Sequence, residues 1–194
     1  THFLPSIVPA LTPKLPVPVV YNCGGYESVE TLRQLEGLID VYLPDYKYSD
    51  GALAARLSAA PDYPAVADAA IREMVRQTGP AVIEDDQLVR GTLVRHLVLP
   101  GYLDNTLGAL DWFAGAFPDG SVLLSLMSQY TPLAHVKDYP ELTKRVSEEA
   151  YAHLVHYAEQ LGITNGFTQE REVAKESFIP HFDCEGVLST RNSG

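Results

Sequence analysis

The residues best suited to chemistry in this 194-residue sequence fall where predicted strands end. Asp45 and Lys47 lie two residues apart, just after the apolar run at residues 38–43. On an extended backbone, side chains two positions apart share one face. Such a pair can present a carboxylate and an ammonium to one ligand, or it can form an ion pair that only caps the strand. The sequence alone leaves both interpretations open.

A second pair of polar residues interrupts the run at residues 91–101, GTLVRHLVLPG. Continuous apolar runs of this length are typical of parallel strands that are buried on both faces. Arg95 and His96 are adjacent, so their side chains must point to opposite faces. A buried charge needs a partner or a ligand. Arg95 is therefore a structural ion-pair residue or a site residue, and His96 is a hydrogen-bonded core histidine or a site residue.

Strands and helices alternate along the rest of the sequence. We predict strands at residues 17–21, 38–43, 91–101, 122–127 and 166–169, with a hairpin around the acidic turn 84–86. The helices predicted between them are at residues 28–37, 50–60, 64–77, 105–117 and 147–161. This alternation predicts an α/β fold with a parallel sheet. Five strands are too few for an eightfold barrel, so the fold class predicted is a partial (β/α) barrel.

In a parallel sheet the carboxyl ends of the strands form one rim, which is where α/β proteins place their sites. The residues predicted at this rim are Asn22, Cys23, Asp45, Lys47, Arg95, Gln129, Tyr130, Gln169 and Glu170. The sequence has no nucleophile elbow, no phosphate-binding glycine loop and no metal-binding helix motif. The pattern therefore predicts a ligand site and no metal site.

Charge and cysteine content exclude several classes of partner. The net charge is −11, and no run of Lys and Arg marks a nucleic-acid surface. No apolar stretch approaches the roughly 20 residues of a membrane helix. The only cysteines, Cys23 and Cys184, are far apart, which favours a reducing compartment over a disulfide framework. We therefore expect a cytoplasmic protein with no nucleic-acid or membrane partner.

Four segments resemble the radical S-adenosylmethionine proteins akin to the pyruvate formate-lyase activating enzyme. They are GGYESVETLRQLEGLIDVYLPDYKY, RGTLVRHLVLPGYLDN, SLMSQYTPL and NGFTQEREVAKESFIPHFD. The resemblance covers residues 1–187, and residues 188–194 are predicted to be a disordered tail. Family members are partial (β/α) barrels whose first strand carries a CxxxCxxC loop. This sequence has no such triad, so the resemblance implies the C-terminal half of a radical S-adenosylmethionine barrel.

The resemblance also assigns roles at the rim. Residues 22–25 are similar to an Asp-Thr-Asn-Gly turn near the cofactor. Residues 45–47 resemble an Asp-Leu-Lys motif whose lysine reaches the methionine carboxylate. Arg95 matches an arginine of the active-site cavity, and residues 129–130 fall where the family often has a cofactor-contacting histidine. The cofactor-binding residues implied are Asn22, Cys23, Asp45, Lys47, Arg95, Gln129 and Tyr130.

The activity implied for the full-length enzyme is reductive cleavage of S-adenosylmethionine on a 4Fe-4S cluster. The resulting 5′-deoxyadenosyl radical abstracts hydrogen, and the implied partner is a protein substrate, a glycyl radical enzyme. Without the cluster cysteines, this chain alone is expected to bind neither cofactor and to be inactive.

Two other functions remain open: a non-catalytic binding or scaffold subunit, and a barrel lyase or isomerase that uses Lys47 as a base or Schiff-base amine. The absent strands would leave an exposed barrel edge at residues 17–21, and such an edge predicts a homodimer.

Overall fold

The structure is a computed structural model that describes residues 4–11, 16–132 and 138–168. Its helices are α1 (Leu4–Leu11), α2 (Val29–Arg33), α3 (Gly51–Ser58), α4 (Tyr63–Thr78), α5 (Leu103–Ala116) and α6 (Glu148–Gln160). Its strands are β1 (Val20–Cys23), β2 (Val41–Pro44), β3 (Val82–Glu84), β4 (Gln87–Leu97), β5 (Leu123–Met127) and β6 (Gly166–Thr168). A 3₁₀ helix, Pro140–Thr143, precedes α6.

One sheet contains all of the strands. Its order is β1-β2-β4-β5-β6, and every neighbouring pair on this path is parallel. Strand β3 pairs antiparallel with the start of β4, as the predicted hairpin requires. Within the described residues β1 and β6 are the two edges, so the sheet is open. The prediction of an α/β partial barrel is confirmed.

The helices begin where side-chain caps are available. Ser28 accepts a hydrogen bond from the amide of Thr31 at the start of α2, and Ser147 accepts one from Ala150 at the start of α6. Asp50 caps α3 in the same way. Each cap satisfies an amide that would otherwise have no intrahelical partner. The helix starts predicted at residues 28, 50 and 147 are therefore confirmed.

Strand β4 is not buried on both faces, which corrects the prediction for residues 91–101. Thr92, Val94 and His96 are buried on one face, whereas Leu93 and Arg95 on the other face are only partly buried. Helices α4 and α5 supply part of the core that contains Val94. The opposite face, which carries Leu93 and Arg95, is the inner face of the partial barrel. It stays partly accessible because the sheet does not close.

Strand β1 also differs from the prediction. It begins at Val20 rather than at residue 17, and Val17 and Val20 are 59% and 51% exposed. Its position at the sheet edge explains the exposure, because no described strand pairs on its outer side. The prediction of an exposed apolar edge is thus met in the described residues, while the homodimer stays a prediction.

Helix α5 turns a partly polar face inward. Helical spacing places the apolar residues Leu107, Leu110, Ala114 and Phe117 on one face and predicts that this face is buried, but Leu107 and Ala114 are only partly buried. Asn105 and Thr106 are buried instead. Asn105 donates to the carbonyl oxygen of Lys47, and Thr106 pairs with the buried ring of His96.

The longest helix described, α4, has 16 residues. None of the described helices combines the length and the apolar character that a bilayer span requires.

Candidate functional site

Four of the predicted site residues meet at the carboxyl ends of β1, β2 and β4; we call Asn22, Asp45, Lys47 and Arg95 the rim cluster. Lys47 Nζ lies 2.7 Å from Asp45 Oδ2, and Arg95 Nη2 lies 2.6 Å from Asp45 Oδ1. Arg95 Nη2 also donates to Asn22 Oδ1 at 2.6 Å. The parallel register explains the meeting, since residue 45 forms an isolated bridge with residue 95 across β2 and β4.

The charge of the rim cluster favours an anionic group. Two cations face one carboxylate, so the cluster carries a net positive charge. The Lys47 side chain is 46% exposed and can leave Asp45 for a ligand, whereas Asp45 and Arg95 are 19% and 25% exposed. A charge-assisted hydrogen bond from either cation is a strong way to hold a carboxylate.

Three buried polar atoms near the rim have no hydrogen-bond partner among the residues that the structure describes. They are Asp45 Oδ1, Arg95 Nε and Gln129 Oε1. The contact of Asp45 Oδ1 with Arg95 is an ion pair by distance, but its angles do not make it a hydrogen bond. Unmatched buried groups are rare in native proteins and call for a ligand, a water or strain as the reason. Here Arg95 Nε and Gln129 Oε1 have no partner among the described residues, whereas Asp45 Oδ1 has its ion pair with Arg95.

The backbone that carries Asp45 and Lys47 is fully hydrogen-bonded. The amides of residues 45, 46 and 47 donate to Cys23 O, Arg95 O and the Tyr63 hydroxyl. The three carbonyl oxygens accept from Tyr63, His96 and Asn105. Partners therefore come from β1, β4, α4 and α5. Such complete pairing fixes the direction in which the two charged side chains leave the chain.

His96 is a hydrogen-bonded core histidine, which was one of its two predicted roles. It is 2% exposed, with Nδ1 2.6 Å from Tyr46 O and Nε2 3.0 Å from Thr106 Oγ1. Burial lowers the pKa of His96 to about 4, so the ring is neutral at pH 7. His96 hydrogen-bonds to the backbone of Tyr46, and its side chain lies on the face of β4 opposite to Arg95.

Three residues that support the site were not singled out in the sequence: Tyr63, Asn105 and Thr106. Their contacts with residues 45–47 and 96 span 10 to 58 positions of sequence. On the helix predicted at 105–117, Asn105 lies opposite the apolar stripe and Thr106 lies beside it, so no local pattern predicts that either residue is buried.

Cys23 does not join the rim cluster through its side chain. It follows Asn22 on the strand and points to the opposite face, where it packs with the cluster that contains Leu32 and Tyr42. Burial raises the pKa of the Cys23 thiol to about 11. This thiol is protonated at neutral pH, which is unfavourable for binding a metal.

Gln129 and Tyr130 lie at the carboxyl end of β5, and their observed partners lie away from the rim cluster. Gln129 Nε2 is 3.8 Å from Met127 Sδ, and the Tyr130 hydroxyl donates to Leu142 O at 2.9 Å. Gln169 and Glu170 lie outside the described residues. The cofactor-binding roles of all seven predicted residues stay predictions.

The rim fits one of the two implied cofactors. The amino-acid end of S-adenosylmethionine has an ammonium, which can donate to Asp45, and a carboxylate, which can accept from Lys47 and Arg95. A 4Fe-4S cluster does not fit this chain's own residues, because a cluster needs three or four thiolates and the sequence has two cysteines. Among the described residues no group of three or more His, Cys, Asp or Glu side chains is placed to hold a metal ion.

Comparison with known sequences finds an uncharacterized relative. No protein-family model matches the sequence. The chain is 29% identical over 147 residues to an uncharacterized protein of Methanocaldococcus jannaschii, an alignment that covers 76% of the chain and 39% of that protein. The chain thus spans about two fifths of the length of this curated relative.

A solved structure has a similar architecture. It is a domain of a pyruvate-formate lyase-activating enzyme from Bacteroides vulgatus, with a TM-score of 0.61 and 13% identity. The match covers 87% of this chain and 91% of that one. At this identity the similarity establishes the fold alone.

Proposed function

We propose that this chain forms the S-adenosylmethionine-binding part of a radical S-adenosylmethionine enzyme that resembles the glycyl radical enzyme activases. The observation that carries the proposal is the rim cluster, in which Lys47 and Arg95 flank Asp45 at the carboxyl edge of an open parallel sheet. The solved domain with this fold comes from an activating enzyme, which supports the reaction class.

Different residues of the chain bind different groups of the cofactor. Lys47, the most exposed of the charged rim residues, binds the methionine carboxylate of the cofactor. Arg95 donates from Nε to the same carboxylate and keeps its Nη2 on Asn22. Asp45 keeps its ion pair with Arg95 and accepts from the ammonium of the cofactor. When bound, S-adenosylmethionine supplies the deoxyadenosyl group that abstracts hydrogen from the substrate in this class of enzyme.

The cluster ligands are proposed to come from polypeptide outside the printed sequence. Two cysteines cannot supply three thiolates, and the curated relative is much longer than the stretch that it shares with the chain. The proposed substrate is a glycyl radical enzyme.

A non-catalytic binding subunit is the second candidate, because the chain has no cluster ligand set of its own. The two functions differ in the product that they form. Full-length protein containing the chain, reconstituted anaerobically with iron and sulfide and then reduced with dithionite in the presence of S-adenosylmethionine, is expected to release 5′-deoxyadenosine. Mass spectrometry measures this product. A protein that carries a stoichiometric cluster and binds S-adenosylmethionine without releasing 5′-deoxyadenosine would contradict the enzyme and support the binding subunit.

A further inference from the structure

We infer that Tyr63 is a positioning residue for the cofactor site, one that acts through the backbone of Lys47. The inference rests on the proposed function for its ligand, and on the hydrogen bonds of the described residues for its geometry. Tyr63 is the first residue of α4 and lies 16 positions from Lys47 in sequence.

The Tyr63 hydroxyl joins the turn after β1 to the turn after β2. It accepts from the amide of Lys47 at 3.0 Å. The carbonyl oxygens of Asp45 and Gly24 lie 2.7 Å and 2.9 Å from the same hydroxyl, which can donate to one of them at a time. One hydroxyl thereby contacts the backbone of both members of the charged pair, Asp45 and Lys47.

The Tyr63 ring is itself held rigidly. The ring is 3% exposed. It stacks on the Tyr26 ring, with centroids 5.8 Å apart and planes 5° from parallel, and makes a T-shaped contact with the Tyr48 ring at a centroid distance of 5.3 Å. Burial raises the pKa of the phenol, so the hydroxyl keeps the proton that it donates. A rigid support behind a flexible lysine lowers the entropy that ligand binding must remove.

The backbone around the hydroxyl is close-packed. Gly25 has φ of 78°, and a Cβ at this position would collide with the Asp45 carbonyl oxygen and lie 3.2 Å from the Tyr63 hydroxyl. A Cβ at Gly24 would lie 3.8 Å from Cε of Lys47. The turn after β1 therefore packs directly against the Asp45 carbonyl that Tyr63 contacts, which leaves this peptide group little room to move.

Tyr63→Phe removes the hydroxyl and keeps the ring, and Tyr48→Phe is the matched control. Tyr48 is 7% exposed and belongs to the same aromatic group, but its hydroxyl pairs with Ser58 Oγ at 2.8 Å and not with residues 45–47. Tyr63→Phe loses one accepted and one donated hydrogen bond and Tyr48→Phe loses one, so a general loss of stability affects both variants.

Hydrogen–deuterium exchange of the chain tests the geometry without any cofactor. In Tyr63→Phe the amide of Lys47 has lost its acceptor, so the peptide covering residues 44–49 is expected to exchange roughly tenfold faster than in Tyr48→Phe. Equal exchange in the two variants would overturn the inference.

Binding of S-adenosylmethionine to the full-length protein tests the role. We expect Tyr63→Phe to raise the dissociation constant about three- to tenfold, at a temperature where all variants are folded. If Tyr63 acts through Lys47, the same substitution in a Lys47→Ala background has little further effect, whereas a purely structural tyrosine gives additive losses.

The outcomes separate this inference from the proposed function. If wild-type protein does not bind S-adenosylmethionine, the proposed function fails and so does the cofactor role of Tyr63, whatever the exchange result. If wild type and Tyr63→Phe bind the cofactor equally well, the positioning role alone is overturned. Faster local exchange, weaker binding and non-additivity together support it.

Discussion

Acidification from pH 7 to pH 4.5 is expected to destabilise the fold through one buried side chain, His96. Its Nδ1 faces the Tyr46 carbonyl oxygen, which can only accept, so the proton of the neutral ring lies on Nδ1. Nε2 then accepts from the Thr106 hydroxyl. A second proton on the ring would displace this hydrogen bond and place a charge in the core.

The magnitude follows from the difference between the pKa values of the folded and unfolded states. Burial lowers the pKa of His96 from 6.5 to about 4. Between these two values the unfolded chain binds more protons than the folded chain, so the free energy of unfolding falls as the pH falls. The full difference corresponds to roughly 3 kcal/mol, and most of it is lost between pH 6.5 and pH 4.5.

Urea unfolding followed by circular dichroism at several pH values measures this loss. His96→Asn is the comparison, because its amide can still donate to the Tyr46 carbonyl but cannot titrate. The variant is less stable at pH 7, yet its stability is expected to change much less between pH 7 and pH 4.5. Arg76 lowers the pKa of Glu73 from 4.5 to about 2, so the stability that Glu73 contributes is lost mainly below pH 4.5, and this loss is common to both proteins. Equal pH dependence in wild type and His96→Asn would refute the reasoning.

Three further predictions follow from the turn after β1, the cysteine count and the sheet edge. Gly25 and Gly37 both have a positive φ, but only Gly25 faces the Asp45 carbonyl. Gly25→Ala is therefore expected to destabilise the chain in thermal unfolding by more than about 1 kcal/mol relative to Gly37→Ala. Equal losses in the two variants would contradict the close packing. Anaerobic reconstitution of the chain alone is expected to yield no 4Fe-4S cluster by iron analysis and absorbance, and a stoichiometric spectrum would contradict the ligand count. Light scattering of the chain over a concentration series is expected to show self-association through the exposed edge at residues 17–20, which a strict monomer would disprove.

The parts of the structure that the sequence predicts well are those governed by local periodicity. Asp45 and Lys47 share a face because strand side chains alternate, and the same rule separates Arg95 from His96. The caps Ser28 and Ser147 are recognisable because each precedes an apolar helical pattern.

Features that depend on contacts distant in sequence could not be predicted in this way. Tyr63 and Asn105 bond to Lys47 across 16 and 58 positions, and Asn22 meets Arg95 across 73. No local pattern encodes these pairs, which depend on how the strands are ordered in the sheet. The same is true of exposure, because the run at residues 17–21 is apolar like an interior strand and yet β1 lies at an edge.

The measurement that tests the central claim most directly is the affinity of full-length protein for S-adenosylmethionine when Lys47 is replaced. A charge-assisted hydrogen bond is worth roughly 1.5–3 kcal/mol, so Lys47→Ala is expected to raise the dissociation constant about ten- to a hundredfold while iron content stays the same. Lys47→Arg is expected to restore little, because a planar guanidinium does not replace an ammonium on a flexible stem. Lys144→Ala removes an exposed lysine outside the rim cluster and is expected to bind normally. If Lys47→Ala instead binds S-adenosylmethionine like wild type and loses only thermal stability, Lys47 is the structural partner of Asp45 and the proposed site is wrong.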